Sequence, residues 1–299
     1  MARLARVLRD VHERFTAAPL HYGHGTDNAW DEAVALVLGV SELADIEASL
    51  EVELDEACAV SIRALAKQRI DERLPLAYLL GKTTYCGDTL HVTPGVVVPR
   101  SPLGPWLRDG LSTWLVDPPR RILDLCCGCG AIGIVAAKVF VDSQVLLVDL
   151  DSLAVETARE NVARQRLSDR VDVVRSDLFG SLPLQAFDVI LCNPPYVDAS
   201  DMEARPLEYR HEPELGLAGG GIDGLGLVKR ILKDAGEYLS ETGLLVCEVG
   251  NSARHLVAEY PDVPFIWPDL PEGGEGVFLA KRSLLFQLRE CPVISGTAR

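Results

Sequence analysis

The sequence predicts an α/β protein in which a doubly wound, mostly parallel sheet follows a small helical domain and a β-hairpin linker. Residues 1 to about 75 carry apolar side chains at helical spacing, whereas residues 76–100 are β-rich and broken by Gly and Pro. From about residue 120, short apolar runs alternate with helical stretches, as in a parallel sheet covered by helices on both faces. These changes divide the chain into a helical domain (1–75), a linker (76–110) and a sheet domain (111–299).

The helical domain is predicted to contain three helices. The first has apolar residues three and four positions apart: Leu4, Val7, Leu8 and Val11. A second opens near residue 31 behind Asn28, a residue type that caps helix N-termini. A third covers 55–70 and ends near Pro75. Between the first two lies a glycine-rich turn, residues 22–30, with polar and aromatic side chains.

The elements of the linker and of the sheet domain are predicted from short apolar and β-rich segments. Residues 78–87 and 90–100 predict the two arms of the hairpin. Apolar runs predict strands at 122–125, 145–148, 171–174, 189–192 and 244–247, with two further strands at 263–267 and 277–279. Helices are predicted at 131–139, 152–165 and 225–239. The last dozen residues carry no readable pattern.

Composition limits the classes of function. The chain has 299 residues, of which 48% are apolar and 24% charged, so it can form a globular core. Its formal charge of −15 argues against direct nucleic-acid binding, which depends on phosphate contacts, and favours a basic partner. No apolar run reaches the roughly 18 residues of a membrane helix. The N-terminus is an amphipathic helix rather than a signal peptide, so we expect a cytoplasmic protein without membrane contact.

The eight cysteines are expected to be reduced thiols. Cys126 and Cys129 have the Cys-x-x-Cys spacing of some zinc sites. A zinc site needs a second pair of ligands, and no matching pair or His cluster follows. We therefore expect no metal site.

The motif Asn-Pro-Pro-Tyr at 193–196 indicates methyl transfer to a planar nitrogen. An amide nitrogen is a poor nucleophile because its lone pair is delocalised, so an enzyme that uses it must hold both N–H groups with fixed acceptors. The side-chain oxygen of Asn193 and the carbonyl of Pro194 can be these acceptors. Pro194 and Pro195 lock φ and have no N–H, which orients the carbonyls in advance. Tyr196 offers a flat face for stacking. The alternative is a proline-stiffened turn after a strand.

A glycine loop precedes this motif, and it predicts a cofactor site. Gly128 and Gly130 lie between the first strand and first helix of the sheet, where the backbone turns sharply and a ligand can approach. Nicotinamide enzymes use a similar turn, so the loop alone does not identify the cofactor. S-adenosylmethionine is favoured because the loop directly follows Asp124 and lacks the full Gly-x-Gly-x-x-Gly pattern.

Acidic residues at the ends of the next two strands fit the same cofactor. Asp149 can accept hydrogen bonds from ribose hydroxyls, a feature shared with nicotinamide sites. Asp177 can bond an adenine amino group, and Leu178 can pack on the ring. The competing interpretation of Asp149 and Asp177 is a helix cap or a surface acid. Asp151 is expected to cap the helix at 152–165.

Together these motifs resemble the glutamine methyltransferases of the PrmB/HemK family. The matching segments are 124–130, 148–149, 176–179 and 193–196. Three further segments resemble the branch that modifies ribosomal protein L-three of the large subunit: 22–33, 98–102 and 208–217. The resemblance covers about residues 5–281. The segment 22–33 is highly specific for the branch, whereas the glycine loop is not.

The resemblance implies a Rossmann-like class I methyltransferase fold, with a seven-stranded sheet whose last strand is antiparallel. It implies that the helical domain helps to recognise the protein substrate and that the 193–196 loop contacts the glutamine. The residues implied to contact S-adenosylmethionine are Asp124, Cys126, Gly128, Gly130, Asp149, Asp177, Leu178 and Asn193. The implied substrate is a basic protein, ribosomal protein L-three.

The chain departs from the family pattern in two places. The family usually has an acidic residue a few positions after Pro99-Arg100, and Pro105 stands about where that acid would be. If the acid helps to hold the methionine amino group, we expect a lower cofactor affinity here. The tail after Lys281 is an extension to which the sequence assigns no structure.

Three other functions are compatible with parts of the pattern. An adenine-specific DNA methyltransferase shares Asn-Pro-Pro-Tyr but should carry a basic target-recognition region, and no Lys/Arg cluster is present. A release-factor glutamine methyltransferase shares the chemistry but not the 22–31 signature. A non-catalytic ribosome-assembly factor would bind the cofactor without turnover. His211 and Glu212, in the loop after the motif, are expected to be mostly solvated.

Overall fold

The computed structural model describes residues 2–109, 111–270 and 273–289. Four helices form the N-terminal part: α1 (Leu4–Ala17), α2 (Ala29–Ser41), α3 (Glu56–Glu72) and α4 (Leu76–Leu80). A short antiparallel pair, β1 (Ala2–Arg3) and β2 (Glu53–Leu54), closes this part. The apolar faces of α1, α2 and α3 bury one another in a core of their own.

The start of α2 and the end of α3 lie where the sequence predicts them. The Asn28 side-chain oxygen accepts hydrogen bonds from the backbone N–H groups of Trp30 and Asp31, both at 3.0 Å, so the predicted cap is confirmed. Helix α3 ends at Glu72, close to the predicted end near Pro75, and the next residue, Arg73, takes a left-handed conformation (φ 58°).

The linker contains a hairpin that is shorter than the sequence predicts. Its strands are β3 (Lys82–Tyr85) and β4 (Asp88–His91), which pair antiparallel. Residues 78–80, predicted as strand, belong instead to α4. That helix ends at Gly81, which has a positive φ of 64°.

The sheet domain is a six-stranded mixed sheet. Its strands are β5 (Arg121–Leu125), β6 (Gln144–Asp149), β7 (Val171–Arg175), β8 (Phe187–Cys192), β9 (Leu239–Glu248) and β10 (Val277–Lys281). The order across the sheet is β10-β9-β8-β5-β6-β7, with β5 to β9 parallel and β10 antiparallel to β9. The predicted Rossmann-like fold with an antiparallel last strand is confirmed.

Helices cover both faces of this sheet. They are α5 (Leu103–Asp109), α6 (Ala131–Val139), α7 (Ser152–Arg164), α8 (Ala199–Ala204), α9 (Gly226–Tyr238), α10 (Ala253–Glu259) and α11 (Arg282–Arg289). Helices α5 to α7 bury one face, and α9 to α11 bury the other. Asp151 caps α7 as predicted, because its carboxylate accepts from the Leu153 N–H at 3.0 Å. None of the helices within the described ranges is long and apolar enough to cross a membrane.

The seventh strand, predicted at 263–267, is not formed within the described residues. Ile266 makes a single antiparallel bridge to Leu279, with N···O distances of 3.1 and 2.8 Å in the two directions. In an antiparallel ladder the next hydrogen-bonding positions on this segment are two residues away on either side. Pro264 and Pro268 occupy them and have no N–H to donate, so the bridge cannot extend into a strand.

The start of the C-terminal extension, to which the sequence assigned no structure, forms a helix. Helix α11 buries Leu285 and Leu288 against the face that α9 covers. The final residues, 290–299, lie outside the described part of the chain.

Candidate active site

A cleft of about 520 Å³ opens at the carboxyl ends of the parallel strands. The loops after β5, β6, β7 and β8 form one side of it, and residues 95–101 and 205–217 form much of the other. Open α/β sheets place ligands at this edge, where the strand order reverses next to the first strand. Most of the sequence-predicted site residues line this cleft; Asp124 and Gly130 do not.

The glycine loop turns sharply at the base of the cleft. Three of its residues have positive φ: Cys126 (56°), Gly128 (55°) and Gly130 (84°). A Cβ added at Gly128 would meet no atom within 4 Å, so the backbone there faces open space. The Gly128 N–H donates to Asp149 Oδ2 at 2.8 Å, which ties the loop to the end of β6. Both Cys126 and Gly128 line the cleft.

Asp124 and Gly130, also predicted to contact the cofactor, lie behind the loop and do not line the cleft. A Cβ on Gly130 would lie 2.8 Å from the Leu147 side chain, so this glycine permits close packing of loop and sheet. Asp124 is fully buried and accepts from the Gly133 N–H at 2.8 Å. Burial raises the pKa of Asp124 to about 8. Both residues support the loop from below.

The acidic residues after β6 and β7 differ in their hydrogen-bond and ion-pair partners. The Asp149 carboxylate lines the cleft and accepts from the N–H groups of Gly128 and Asp151. Burial raises its pKa, and these two hydrogen bonds oppose the shift. Asp177 lines the cleft as well, but its carboxylate pairs with Arg230 at 2.9 Å and is half exposed. Leu178 is buried in the cleft wall with a positive φ of 49°.

The Asn-Pro-Pro-Tyr loop follows β8 and lines the cleft along its whole length. Asn193 is half-buried, and none of the described residues hydrogen-bonds its side-chain amide. Tyr196 is held from both ends, because its carbonyl accepts from Ser252 Oγ at 2.7 Å and its hydroxyl donates to Glu248 Oε1 at 2.9 Å. A Cβ on Gly250 would lie 2.5 Å from the Tyr196 ring, so only glycine leaves room for this ring position.

Glu248, at the end of β9, was not identified from the sequence. It is 5% exposed and lines the cleft. Its second carboxylate oxygen accepts from Ser101 Oγ at 2.5 Å. Burial raises the pKa of Glu248, while the hydrogen bonds from Ser101 and Tyr196 and the charge of Arg100 oppose the shift. The only available signal was an acid directly after an apolar run, the same signal that identified Asp149.

Glu212 is buried, which contradicts the expectation of a solvated loop residue. Its carboxylate accepts two hydrogen bonds from Arg100, at 2.7 and 2.8 Å, and one from the Val98 N–H at 2.8 Å. His24 Nε2 lies 3.4 Å from Glu212 Oε2. Burial acts to raise the pKa of Glu212, but His24 and Arg100 outweigh it and lower the pKa to about 2. Such a bidentate pair fixes the orientation of both side chains.

The loop that carries Glu212 also joins the helical domain to the cleft. Glu208 accepts from Arg69 at 3.3 Å, from Arg73 at 2.9 Å and from the His21 N–H at 3.0 Å. The Tyr209 ring stacks at a tilt on His24, with centroids 4.3 Å apart, and lines the cleft. Segments 22–33 and 208–217, which the sequence singled out separately, are thus two sides of one interface.

Two side chains in these segments lie at the surface. Trp30 is 46% exposed and meets the His12 ring edge-on, with ring centroids 5.2 Å apart, so it does not pack in the core of the helical domain. His211 is exposed, with Nε2 2.9 Å from the carbonyl of Glu72.

Comparison with known proteins identifies the family. A ribosomal protein uL3 glutamine methyltransferase from Bordetella pertussis is 44% identical over 288 residues, which are 94% of this chain and 96% of the relative. The chain belongs to this family. A second uL3 glutamine methyltransferase, from Francisella tularensis, is 42% identical over 269 residues, covering 88% of this chain and 85% of the relative. The family model of the methyltransferase small domain matches residues 111–207.

Solved structures agree on the fold of this uL3 glutamine methyltransferase family member. The hMettl16 catalytic domain, solved in complex with the MAT2A 3′UTR hairpin 6, has a TM-score of 0.51 and 19% identity. The match covers 82% of this chain and 90% of that one. At this identity the likeness shows the fold alone, a class I methyltransferase fold.

The cleft fits S-adenosylmethionine, the methyl donor of this methyltransferase. The donor is a sulfonium cation joined to a ribose and an adenine. Carboxylates line the cleft on several sides: Asp149, Asp151, Asp177, Asp201 and Glu248. Such a set attracts a cation, and the open backbone at Gly128 leaves room for close approach. None of the described residues forms a group of three or more potential metal ligands.

Proposed function

We propose that this protein methylates the side-chain amide nitrogen of a glutamine in ribosomal protein uL3 of the large subunit. The observation that carries the proposal is the position of the Asn193–Tyr196 loop, which faces the cleft beside the glycine loop. The two relatives named as uL3 glutamine methyltransferases support the choice of substrate. Because ribosomal proteins are made in the cytoplasm, a cytoplasmic location is part of this proposal.

The donor would be held mainly by backbone and carboxylate groups. The Gly128 and Cys126 backbone lies along it, Asp149 accepts from the ribose hydroxyls, and Leu178 packs on the adenine. Asp177 can accept from the adenine amino group, because Arg230 occupies only one of the lone pairs of its carboxylate. When bound, S-adenosylmethionine supplies an electrophilic methyl group.

The Asn193–Tyr196 loop would hold the glutamine amide against that methyl group. Asn193 Oδ1 and the Pro194 carbonyl accept its two N–H hydrogens. These hydrogen bonds strengthen in the transition state, because the nitrogen loses conjugation and its hydrogens become more acidic. Pro194 and Pro195 fix the loop in advance, so little reorganisation is needed. Most of the rate would come from holding the two reactants in one geometry.

The substrate would approach the acidic surface of the enzyme. The chain carries a formal charge of −15, and a strongly basic ribosomal protein is attracted to it. Association should therefore slow as salt is raised, since salt screens charges separated by more than about 10 Å at 0.1 M.

The test is labelled methyl transfer from S-adenosylmethionine into isolated uL3 and, separately, into a release factor. We expect label in a single glutamine of uL3 and none in the release factor. Equal labelling of both proteins would overturn the choice of substrate but keep glutamine methylation. Cofactor binding without transfer to either protein would indicate a non-catalytic assembly role.

A further inference from the structure

Two buried carboxylates beside the cleft have opposite environments. Glu212 is neutralised by a bidentate ion pair with Arg100, and its pKa is lowered to about 2. Glu248 receives hydrogen bonds only from the hydroxyls of Ser101 and Tyr196, and no described residue forms an ion pair with it. Where two acids have such different environments, the one without a cationic partner holds a proton more readily, and here that acid is Glu248, whose pKa is raised by burial.

The Tyr196 hydroxyl connects Glu248 to the cleft. The hydroxyl donates its single proton to Glu248 Oε1, so Tyr196 Oη can only accept a hydrogen bond from a group in the cleft. Tyr196 is three residues from Asn193, and both side chains line the cleft. The Tyr196 ring lies directly against Gly250, and Ser252 Oγ donates to the Tyr196 backbone carbonyl, so both the ring and the backbone of this residue are fixed in place.

We propose that Glu248, acting through the Tyr196 hydroxyl, accepts the proton that the glutamine amide loses on methylation. This proposal rests on the proposed function. The amide nitrogen forms a bond to the methyl carbon as the methyl–sulfur bond breaks, and the electron pair of that bond stays on sulfur. After the C–N bond has formed, one N–H group leaves its acceptor in the Asn193–Tyr196 loop, and its proton moves to Tyr196 Oη, directly or through one water, while the Tyr196 proton moves to Glu248. The positive charge of the donor and the negative charge of Glu248 are removed together.

The groups that face Glu248 define its titration. They are the Tyr196 and Tyr85 hydroxyls, the Ser101 hydroxyl and the Arg100 guanidinium. Glu248 must be ionised to accept a proton, so the rate should fall as pH decreases through its raised pKa. The acid limb of the pH–rate profile would then belong to Glu248.

Single-turnover methylation at saturating S-adenosylmethionine, followed across pH, tests the proposal. Glu248→Gln keeps a carbonyl acceptor for Tyr196 but cannot take up the proton. We expect a loss on the order of a hundredfold at neutral pH and no acid limb assigned to residue 248. Tyr196→Phe, which keeps the ring, should slow the reaction to a similar extent.

Ser101→Ala is the matched control, because it removes the other hydrogen bond to Glu248 and leaves Tyr196 in place. Loss of a donor raises the pKa of a carboxyl group. The acid limb should therefore remain and move to higher pH. If Glu248 serves only to hold the Asn193–Tyr196 loop in place, Glu248→Gln and Tyr196→Phe would lower the rate by the same factor at every pH. That result would overturn the proposal.

Infrared spectroscopy of the protein without donor gives a second readout. The difference between wild type and Glu248→Gln should show a protonated carboxyl band that grows as pH falls, and Tyr196→Phe should make it grow at higher pH. If the pH dependence of the band is the same in Tyr196→Phe as in the wild type, Glu248 and Tyr196 are not connected.

Failure of this proposal can be distinguished from failure of the proposed function. If the wild-type enzyme methylates uL3 and Glu248→Gln does so at the same rate, only this proposal is overturned. A wild-type enzyme that methylates no glutamine overturns the proposed function and the proton transfer with it.

Discussion

Arg69 and Glu208, 139 residues apart in the chain, form a buried ion pair with Nη1 and Oε1 3.3 Å apart. Arg69 also pairs with Glu32 at 2.5 Å, and each of the three side chains is nearly inaccessible to solvent. The pair joins helix α3 of the helical domain to the loop that lines the cleft. A displacement of the helical domain can therefore affect the position of that loop.

Replacing Arg69 by Met should destabilise the protein by about 3–5 kcal/mol, because Glu32 would remain buried without its cationic partner and Glu208 would keep only Arg73. Denaturant unfolding measures this change. Arg63→Met on the same helix is the control, since Arg63 pairs with Asp10 at 3.4 Å in a partly exposed site and should cost at most about 1 kcal/mol. Equal effects of the two substitutions would contradict a structural role for the buried pair.

Asp149→Ala should weaken S-adenosylmethionine binding by roughly 1–3 kcal/mol, because the ribose hydroxyls lose their acceptor. Calorimetric titration measures the affinity. The substitution also frees the Gly128 N–H, so Asp149→Asn, which keeps an acceptor, should lose less. Asp172→Ala, at an exposed position in β7, controls for unspecific effects. An unchanged affinity in folded Asp149→Ala would mean that the cofactor does not use the end of β6.

Asn193→Ala should leave S-adenosylmethionine affinity within about tenfold and reduce turnover on the order of a hundredfold or more. The affinity survives because other residues hold the donor, whereas the amide loses one of its two acceptors. Calorimetry and single-turnover methylation of uL3 separate the two effects. A variant that methylates at nearly the wild-type rate would exclude Asn193 from holding the amide.

Asp124 should make stability depend on pH. Its pKa is about 8 in the folded protein against an ordinary value of 3.8, so between these values the folded state holds a proton that the unfolded state releases. This contribution is complete below about pH 4 and is lost as pH rises through about 8. Asp124→Asn cannot ionise, so its melting temperature should improve relative to wild type as pH rises from 5 to about 8.5. A difference that does not vary with pH would contradict the raised pKa.

The sequence predicted those features that depend on local pattern. Apolar runs located the six strands that form, and short polar residues located the caps Asn28 and Asp151. The seventh strand was predicted from hydrophobicity without weighing the missing N–H groups of its prolines. Helix α11 was missed although Leu284, Leu285 and Leu288 follow helical spacing, because the segment stood outside the family resemblance.

Site residues were predicted where a motif surrounds them and missed where a distant partner defines them. The polarity around Glu212 indicates a solvated loop, and only the fold brings Arg100, 112 residues away, to its carboxylate. Glu248 likewise depends on Ser101, 147 residues away, and on Tyr196. No local pattern reveals such pairings, since the burial that shifts these acids arises from the tertiary structure.

The prolines on either side of Ile266 also affect whether two protein molecules can associate through the edges of their sheets. Strand β10 is the last strand of the sheet, and a free edge of this kind is a template for pairing with a strand of another molecule. The bridge between Ile266 and Leu279 occupies the middle of that edge, and Pro264 and Pro268 cannot extend it. A neighbouring molecule therefore finds no continuous row of donors and acceptors here. The segment that fails to become a seventh strand protects the β10 edge of the sheet against edge-to-edge aggregation.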